Sequence, residues 1–229
     1  MIISIERAKK TVRTLPHILK KYAFWLISLH AVNFLFNQTM IYLQELRMTS
    51  QEDNYIAYML IVAFVGFFVQ SAVKVIWVFT ICHSFNSQQK TLGEFIRSHL
   101  EQGLIESLRA FLKAIKWGFL FIVPGLIKAI RFQFVSFIVC THKDYESGKV
   151  DALKTSESLT QKHLLGLAGL FIIFGALSMS TSSSHLFINK PLLVGFTEIL
   201  SLILMTFELT YICFIFHDLN ANKAFTVKG

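Results

Sequence analysis

The chain is short of charge. Aspartate, glutamate, lysine and arginine make up 16% of its 229 residues, where an ordinary soluble domain carries about 25%. With 54% hydrophobic residues beside it, that shortage excludes a disordered chain and most soluble globular classes. Proline and glycine are also scarce, at 3 and 11, which excludes collagen-like and low-complexity architectures. The three cysteines, Cys82, Cys140 and Cys213, have no even count and no Cys-x-x-Cys spacing, so neither a disulfide framework nor a zinc ribbon is indicated. Gly-x-Ser-x-Gly, a P-loop, Gly-x-Gly-x-x-Gly and His-Glu-x-x-His are all missing. The expectation is a protein that is not an enzyme, with no cofactor and no bound metal.

What the chain does have is long apolar runs. Its mean hydropathy is +0.55 and it holds 23 phenylalanines, a composition suited to helices that meet lipid. Crossing a bilayer takes about 20 mostly apolar residues. Four runs of that kind are clear, at 22–43, 55–82, 164–180 and 191–216. A fifth stretch, 117–140, is apolar but interrupted by Pro124-Gly125, a pair that breaks or turns a helix.

The net charge of +8 reads as the positive-inside asymmetry of a membrane protein, and no nucleic-acid partner is expected. Residues 1–21 hold Arg7, Lys9, Lys10, Arg13, Lys20 and Lys21 against Glu6 alone, and no small-residue cleavage site follows. This predicts a basic cytoplasmic segment over 1–21 and a single membrane domain over 22–229. Residues 83–116 and 141–163 are both rich in lysine, whereas 44–54 has only Arg47 and 181–190 only Lys190. Two lysine-rich segments on one side require an even number of crossings between them. Stretches near 105–123 and 126–141 therefore read as a hairpin of short, tilted helices turning at Pro124-Gly125. The expected fold class is an all-α polytopic membrane helix bundle of about six membrane segments, both termini cytoplasmic. A single broken span over 117–140, with the C-terminus outside, is the rival.

Residues 91–115 place Leu92, Phe95, Ile96, Leu100, Leu104 and Leu108 at helical spacing between charged residues, an amphipathic pattern. The segment is expected as an amphipathic interfacial helix whose start lies in the headgroup plane, with Gly103 a point to bend into the bilayer, and ordinary packing on neighbouring helices is the alternative. Weaker amphipathic stretches are 150–164 and 1–15, and no internal repeat is visible. Gly166, Gly169 and Gly175 with Ala168 and Ala176 give 164–180 a small-residue face for close helix contact, and Ser178 to Ser184 reads as a short outer loop.

Ionisable residues inside a span are costly and face the bundle interior or a wet cavity. Three stand out: Lys74, Glu198 and Glu208. Lys74 lies eight residues before Cys82 and Glu208 eight before Phe216, so the two are expected at similar depth as an ion pair. Half of a proton relay is the functional alternative. Glu198 is about 15 Å along the helix from Glu208 and cannot share its site. It is expected to reach outer water with Thr197, or a polar edge on the first helix formed by His30, Asn33 and Asn37. Cys82-His83, Cys140 with His142, His163, and Cys213 with His217 all fall near the inner boundary, but without local ligand spacing they read as ordinary interfacial residues.

The run from Trp117 through Pro124-Gly125 to Lys128, then 132–139, then Asp151-Ala-Leu-Lys-Thr-Ser156-Glu-Ser-Leu159, resembles a family of uncharacterised bacterial multi-pass membrane proteins. Its relatives include the YciC-like proteins and the membrane domains attached to some glycerophosphodiester phosphodiesterases. The likeness covers about 50 residues, near 115–165, and Gln161-Lys162-His163 departs from the family pattern. It implies a six-helix bundle in the bacterial inner membrane, with the Pro-Gly turn central and a serine-bearing helix on the surface. It implies no chemistry. On the residues themselves, Ala152, Leu153, Ser156 and Leu159 form one face able to lie on the membrane.

The function expected from all this is an accessory or scaffold subunit of a membrane complex, in contact with membrane lipids and with another membrane protein or further copies of itself. The alternative is a small-molecule or lipid transporter using His30, Asn33, Asn37, Lys74 and Glu208 as a midplane path.

Overall fold

Long apolar runs with three prolines in all leave little to interrupt a helix, and among the described residues the computed structural model contains no strand. It describes residues 4–48, 55–85, 91–141, 145, 148–182 and 191–226. In chain order the helices are α1 (Ile5–Met48), α2 (Tyr55–Phe85), α3 (Leu92–Leu120), α4 (Ile122–Arg131), α5 (Val135–Thr141), α6 (Ala152–Thr160), a 3₁₀ turn (Gln161–His163), α7 (Leu164–Ser182) and α8 (Pro191–Thr226). Loop expectations for 49–54 and 183–190, and His142, lie outside the described residues. Ser178 to Ser182, expected in an outer loop, complete the last turn of α7 instead.

Among the described residues, four helical stretches are long and apolar enough to cross a membrane: Phe64–Phe85, Ile122–Thr141, Ala152–Ser178 and Leu192–Ala221. The expected span at 22–43 is not among them, nor is the expected hairpin arm near 105–123, which carries Glu106, Arg109, Lys113 and Lys116. His30, Asn33, Asn37 and Gln38 fall within one stretch of α1 and lower its apolarity below that of the other four.

Helix ends follow their local chemistry. Thr91 caps α3 in a capping box, its side chain accepting from the Glu94 amide while the Glu94 carboxylate accepts from the Thr91 amide. Asp151 caps α6 by accepting from the Leu153 and Lys154 amides at 2.9 and 3.3 Å. The break between α3 and α4 is at Phe121, which is extended (φ −157°, ψ 133°), and not at Pro124-Gly125. Pro124 sits in the first turn of α4, where amides have no intrahelical acceptor and its missing N–H leaves no bond unmade.

Beyond Phe121 the chain doubles back. Ser107 faces Ser136 at 3.5 Å, and a Cβ on Gly125 would lie 2.6 Å from the Gly118 Cα. Only the absence of that carbon lets α4 lie so close along α3. Gly103 has a similar task and does not bend α3, which is continuous through it. A Cβ there would meet the Phe79 ring of α2 at 2.5 Å. One face of α3, carrying Phe95, Ile96, His99, Gly103, Glu106 and Ala110, is thus buried against its neighbours.

The core lies where α2, α3, α5, α6 and α8 meet. Trp77, Phe79, Phe95, Phe134, Phe137 and Phe216 are fully enclosed, and the Phe137 and Phe216 rings stack at 5.8 Å. Residues 4–21 are docked on this bundle and do not form a free arm. Ile18 and Thr11 are buried, the Ser4 amide donates to the Tyr211 hydroxyl at 3.0 Å, and Arg7 pairs with Asp218 at 2.6 Å. The start of α1 and the end of α8 therefore share one end of the bundle. α1 leaves helical geometry at Tyr22 (φ −119°, ψ 15°), whose hydroxyl meets His83 Nδ1 of α2 at 2.7 Å.

Candidate functional site

Antiparallel packing of α1 on α2 brings the polar edge of α1 against a tryptophan, and α8 supplies a carboxylate. His30 Nε2 lies 3.0 Å from Glu198 Oε2, one of the two arrangements expected for Glu198. Thr197 bonds within its own helix, to the Val194 carbonyl. Asn37 accepts from the Gln70 amide of α2 at 3.2 Å. The His30 ring also meets Trp77 edge to face at 6.2 Å. Three buried atoms here have no partner: His30 Nδ1, Asn33 Oδ1 and Trp77 Nε1. One is a donor, one an acceptor and one adapts with the imidazole tautomer. Trp77 was not singled out from the sequence, although an indole N–H within an apolar run is a donor that needs an acceptor.

Lys74 and Glu208 do not meet. The ion pairs among the described residues include none between them, and Glu208 feels the Lys74 charge only at longer range. The α2 helix instead presents Lys74 to a cavity of about 270 Å³ between α2, α3, the α4–α5 junction and α7. Ser71, Ser107, Gln133 and Ser136 supply its other polar groups. Phe111, Phe132 and Phe171 supply much of its apolar wall. In hydrocarbon an ammonium without a counter-charge is a high-energy group that attracts anions.

The family-like residues belong to the bundle interior and not to a surface. Ala152, Leu153 and Ser156 are fully buried and Leu159 nearly so. At the break between α4 and α5, the Arg131 carbonyl and the Phe134 amide leave the regular ladder. Ser156 donates to the first at 2.6 Å and accepts from the second at 3.3 Å, and Thr160 also donates to the Arg131 carbonyl. Lys128 and Arg131 both reach Glu157 on α6, the latter at 3.6 Å. A face that satisfies backbone groups inside the bundle cannot lie on lipid.

Glu106 is a further buried group that the sequence did not flag. Its Oε1 takes Arg109 at 2.5 Å and the Tyr145 hydroxyl at 3.2 Å, and its Oε2 has no partner. Burial first, and the Glu106 carboxylate second, push the Tyr145 phenol up to about 12. Helical spacing from Phe95 through His99 and Gly103 to Glu106 was the available signal.

All three cysteines are buried and free. The Cys82 thiol lies near those of Cys140 and Cys213, and Cys213 in turn near His217, while the Cys140 thiol donates to the Phe137 carbonyl. Helix packing thus brings together residues from three separate helices. Even so, among the described residues no set of three His, Cys, Asp or Glu side chains is arranged to hold a metal ion.

No family model, curated protein or solved structure matches this chain.

Proposed function

We propose that the chain is a non-catalytic accessory or scaffold subunit of a membrane complex, placed in a bacterial inner membrane with both termini cytoplasmic. The observation that carries this reading is that polar side chains along its helices are used in contacts between helices. His30 joins Glu198, Asn37 joins Gln70, and Ser156 closes the α4–α5 break, so these groups hold helix to helix. Large apolar side chains stand exposed along the outside, among them Phe24, Leu165 and Leu192, a surface suited to lipid or to a partner helix. Six membrane segments fit this reading, with α3 as one arm of a hairpin and α4–α5 as the other. The shared end of the Arg7 and Asp218 segments supports an even number of crossings. The partial likeness to YciC-like proteins belongs to the same proposal.

Purification from native membranes in mild detergent, with mass spectrometry of co-purifying proteins and lipids, tests it. A stoichiometric protein partner is expected. Reversing charge on the exposed face of α3, with Arg97→Glu and Glu101→Lys, is expected to release that partner while the protein still inserts. Partner levels equal to wild type in that variant remove the main support.

The Lys74 cavity favours a second reading, transport of a small molecule or lipid. Lys74→Met with Glu208→Gln is then expected to abolish flux in reconstituted vesicles and leave folding intact. Loss of folding would instead assign both residues to packing.

A further inference from the structure

We propose that the Lys74 cavity binds a monoanionic amphiphile, a carboxylate or phosphodiester head carried on an apolar chain. The inference deepens the transport reading by naming what its cavity holds, and it stands whether or not the bound molecule is moved. Lys74 lies near the middle of the Phe64–Phe85 span, about 15 Å from either end at 1.5 Å per residue. Lys74 is exposed on the helix surface, no ion pair neutralises it among the described residues, and Glu208 acts on it only from beyond ion-pair distance. The cavity lining carries this one ammonium and no carboxylate. One negative charge balances it, a cation is repelled, and a dianion leaves one charge uncompensated in a low-dielectric site. The Ser71 hydroxyl, one hydroxyl of the Ser107–Ser136 pair and the Gln133 amide supply neutral donors for the head's remaining oxygens.

The rest of the ligand is set by what adjoins the cavity. Ser71 also lines a second space, an apolar groove of about 360 Å³ between α2 and α3 walled by Phe68, Leu104, Ile105 and Leu108. The two spaces share Ser71 in their linings, one with an ammonium and one without a charge. A molecule with a charged head and an apolar chain fills both. A small hydrophilic anion leaves the groove empty, and a neutral lipid leaves Lys74 without a counter-charge.

The test uses the full chain purified in dodecyl maltoside, with dodecanoate and dimyristoyl phosphatidylglycerol as probes. Dodecanol and dimyristoyl phosphatidylcholine are the controls without net charge. At least one anionic probe is expected to bind and raise the midpoint of thermal unfolding, and neither control is. Preference for dodecanoate would identify a free carboxylate and preference for phosphatidylglycerol a membrane lipid. Lys74→Met is expected to weaken binding by about tenfold or more, the loss of a charge-assisted contact, and Lys74→Arg to keep most of it. Ile105→Trp, which leaves Lys74 in place and fills the groove from its exposed rim, is expected to weaken both probes as well. Equal binding of dodecanoate and dodecanol, equal binding by wild type and a folded Lys74→Met, or no binding of either anion overturns the proposal. Flux of an unrelated solute in vesicles without binding of either probe would sink this ligand assignment and keep the transport reading.

Discussion

Gly125 of α4 and Gly118 of α3 touch backbone to backbone, and the contact is one-sided. A Cβ at Gly125 would lie 2.6 Å from the Gly118 Cα, whereas the nearest atom to a Cβ at Gly118 is 3.9 Å away. Gly125→Ala is therefore expected to force α4 off α3 at a cost of about 1–3 kcal/mol, the usual range for overpacking. Gly118→Ala is expected to change little. Thermal unfolding in detergent separates the two, and equal midpoints for both variants would show that the hairpin is not held this closely.

His30 and Glu198 join α1 to α8 at 3.0 Å. Polar contacts between membrane helices average about 0.6 kcal/mol and reach about 1.7. A double-mutant cycle on His30→Ala and Glu198→Ala is expected to give a coupling in that range. Strict additivity would mean that each side chain finds another partner and the pair holds nothing together.

Ser156 is the sole residue that bonds to both ends of the α4–α5 break among the described residues. Ser156→Ala leaves a buried amide and weakens the bonding of a buried carbonyl, an expected loss of about 1–3 kcal/mol. Ser158→Ala, two residues away on the exposed side of α6, is expected to stay within about 0.5 kcal/mol of wild type. If the order of the two variants is reversed in urea or thermal unfolding, the clamp is misassigned.

The Tyr145 phenol, pushed up to about 12 by burial and by Glu106, sets an alkaline limit. Its folded value lies above the unfolded value of about 10, so the folded state holds the proton more tightly between the two. The stability it contributes is complete below pH 10 and is lost as pH rises through its folded value near 12. Phenolate absorbance of wild type minus Tyr145→Phe is expected to show one late-titrating component. Glu106→Gln is expected to move it earlier without returning it to an ordinary tyrosine. A difference curve centred on the ordinary value would falsify the assignment.

Several parts of this arrangement were legible in the chain. The helices follow from unbroken apolar runs, and helical periodicity with the cost of an ionised group in hydrocarbon gave the polar edge of α1 as one of two places for Glu198, between which the structure chose. Other parts were not legible. Pro124-Gly125 looked like the turn because proline breaks helices, but the first turn of a helix tolerates proline, and the break moved to Phe121. Ala152, Leu153, Ser156 and Leu159 looked like a face for lipid. The periodicity was right, and its direction depended on backbone groups at 131–134 that only the folded chain leaves exposed.

The sequence by itself determined that this chain is helical, with stretches long and apolar enough to cross a membrane. Those properties are sums over neighbouring residues, and propensity, hydropathy and the spacing of polar groups act within a few turns. Only the tertiary structure decided which polar groups meet. It parted Lys74 from Glu208 and gave Lys74 a cavity, gathered three cysteines from α2, α5 and α8, and docked the basic start of the chain on its end through Arg7 and Asp218. Such contacts join residues up to 211 positions apart. They are fixed by how helix faces interlock, through the close approaches at Gly103 and Gly125, and no local pattern contains that information.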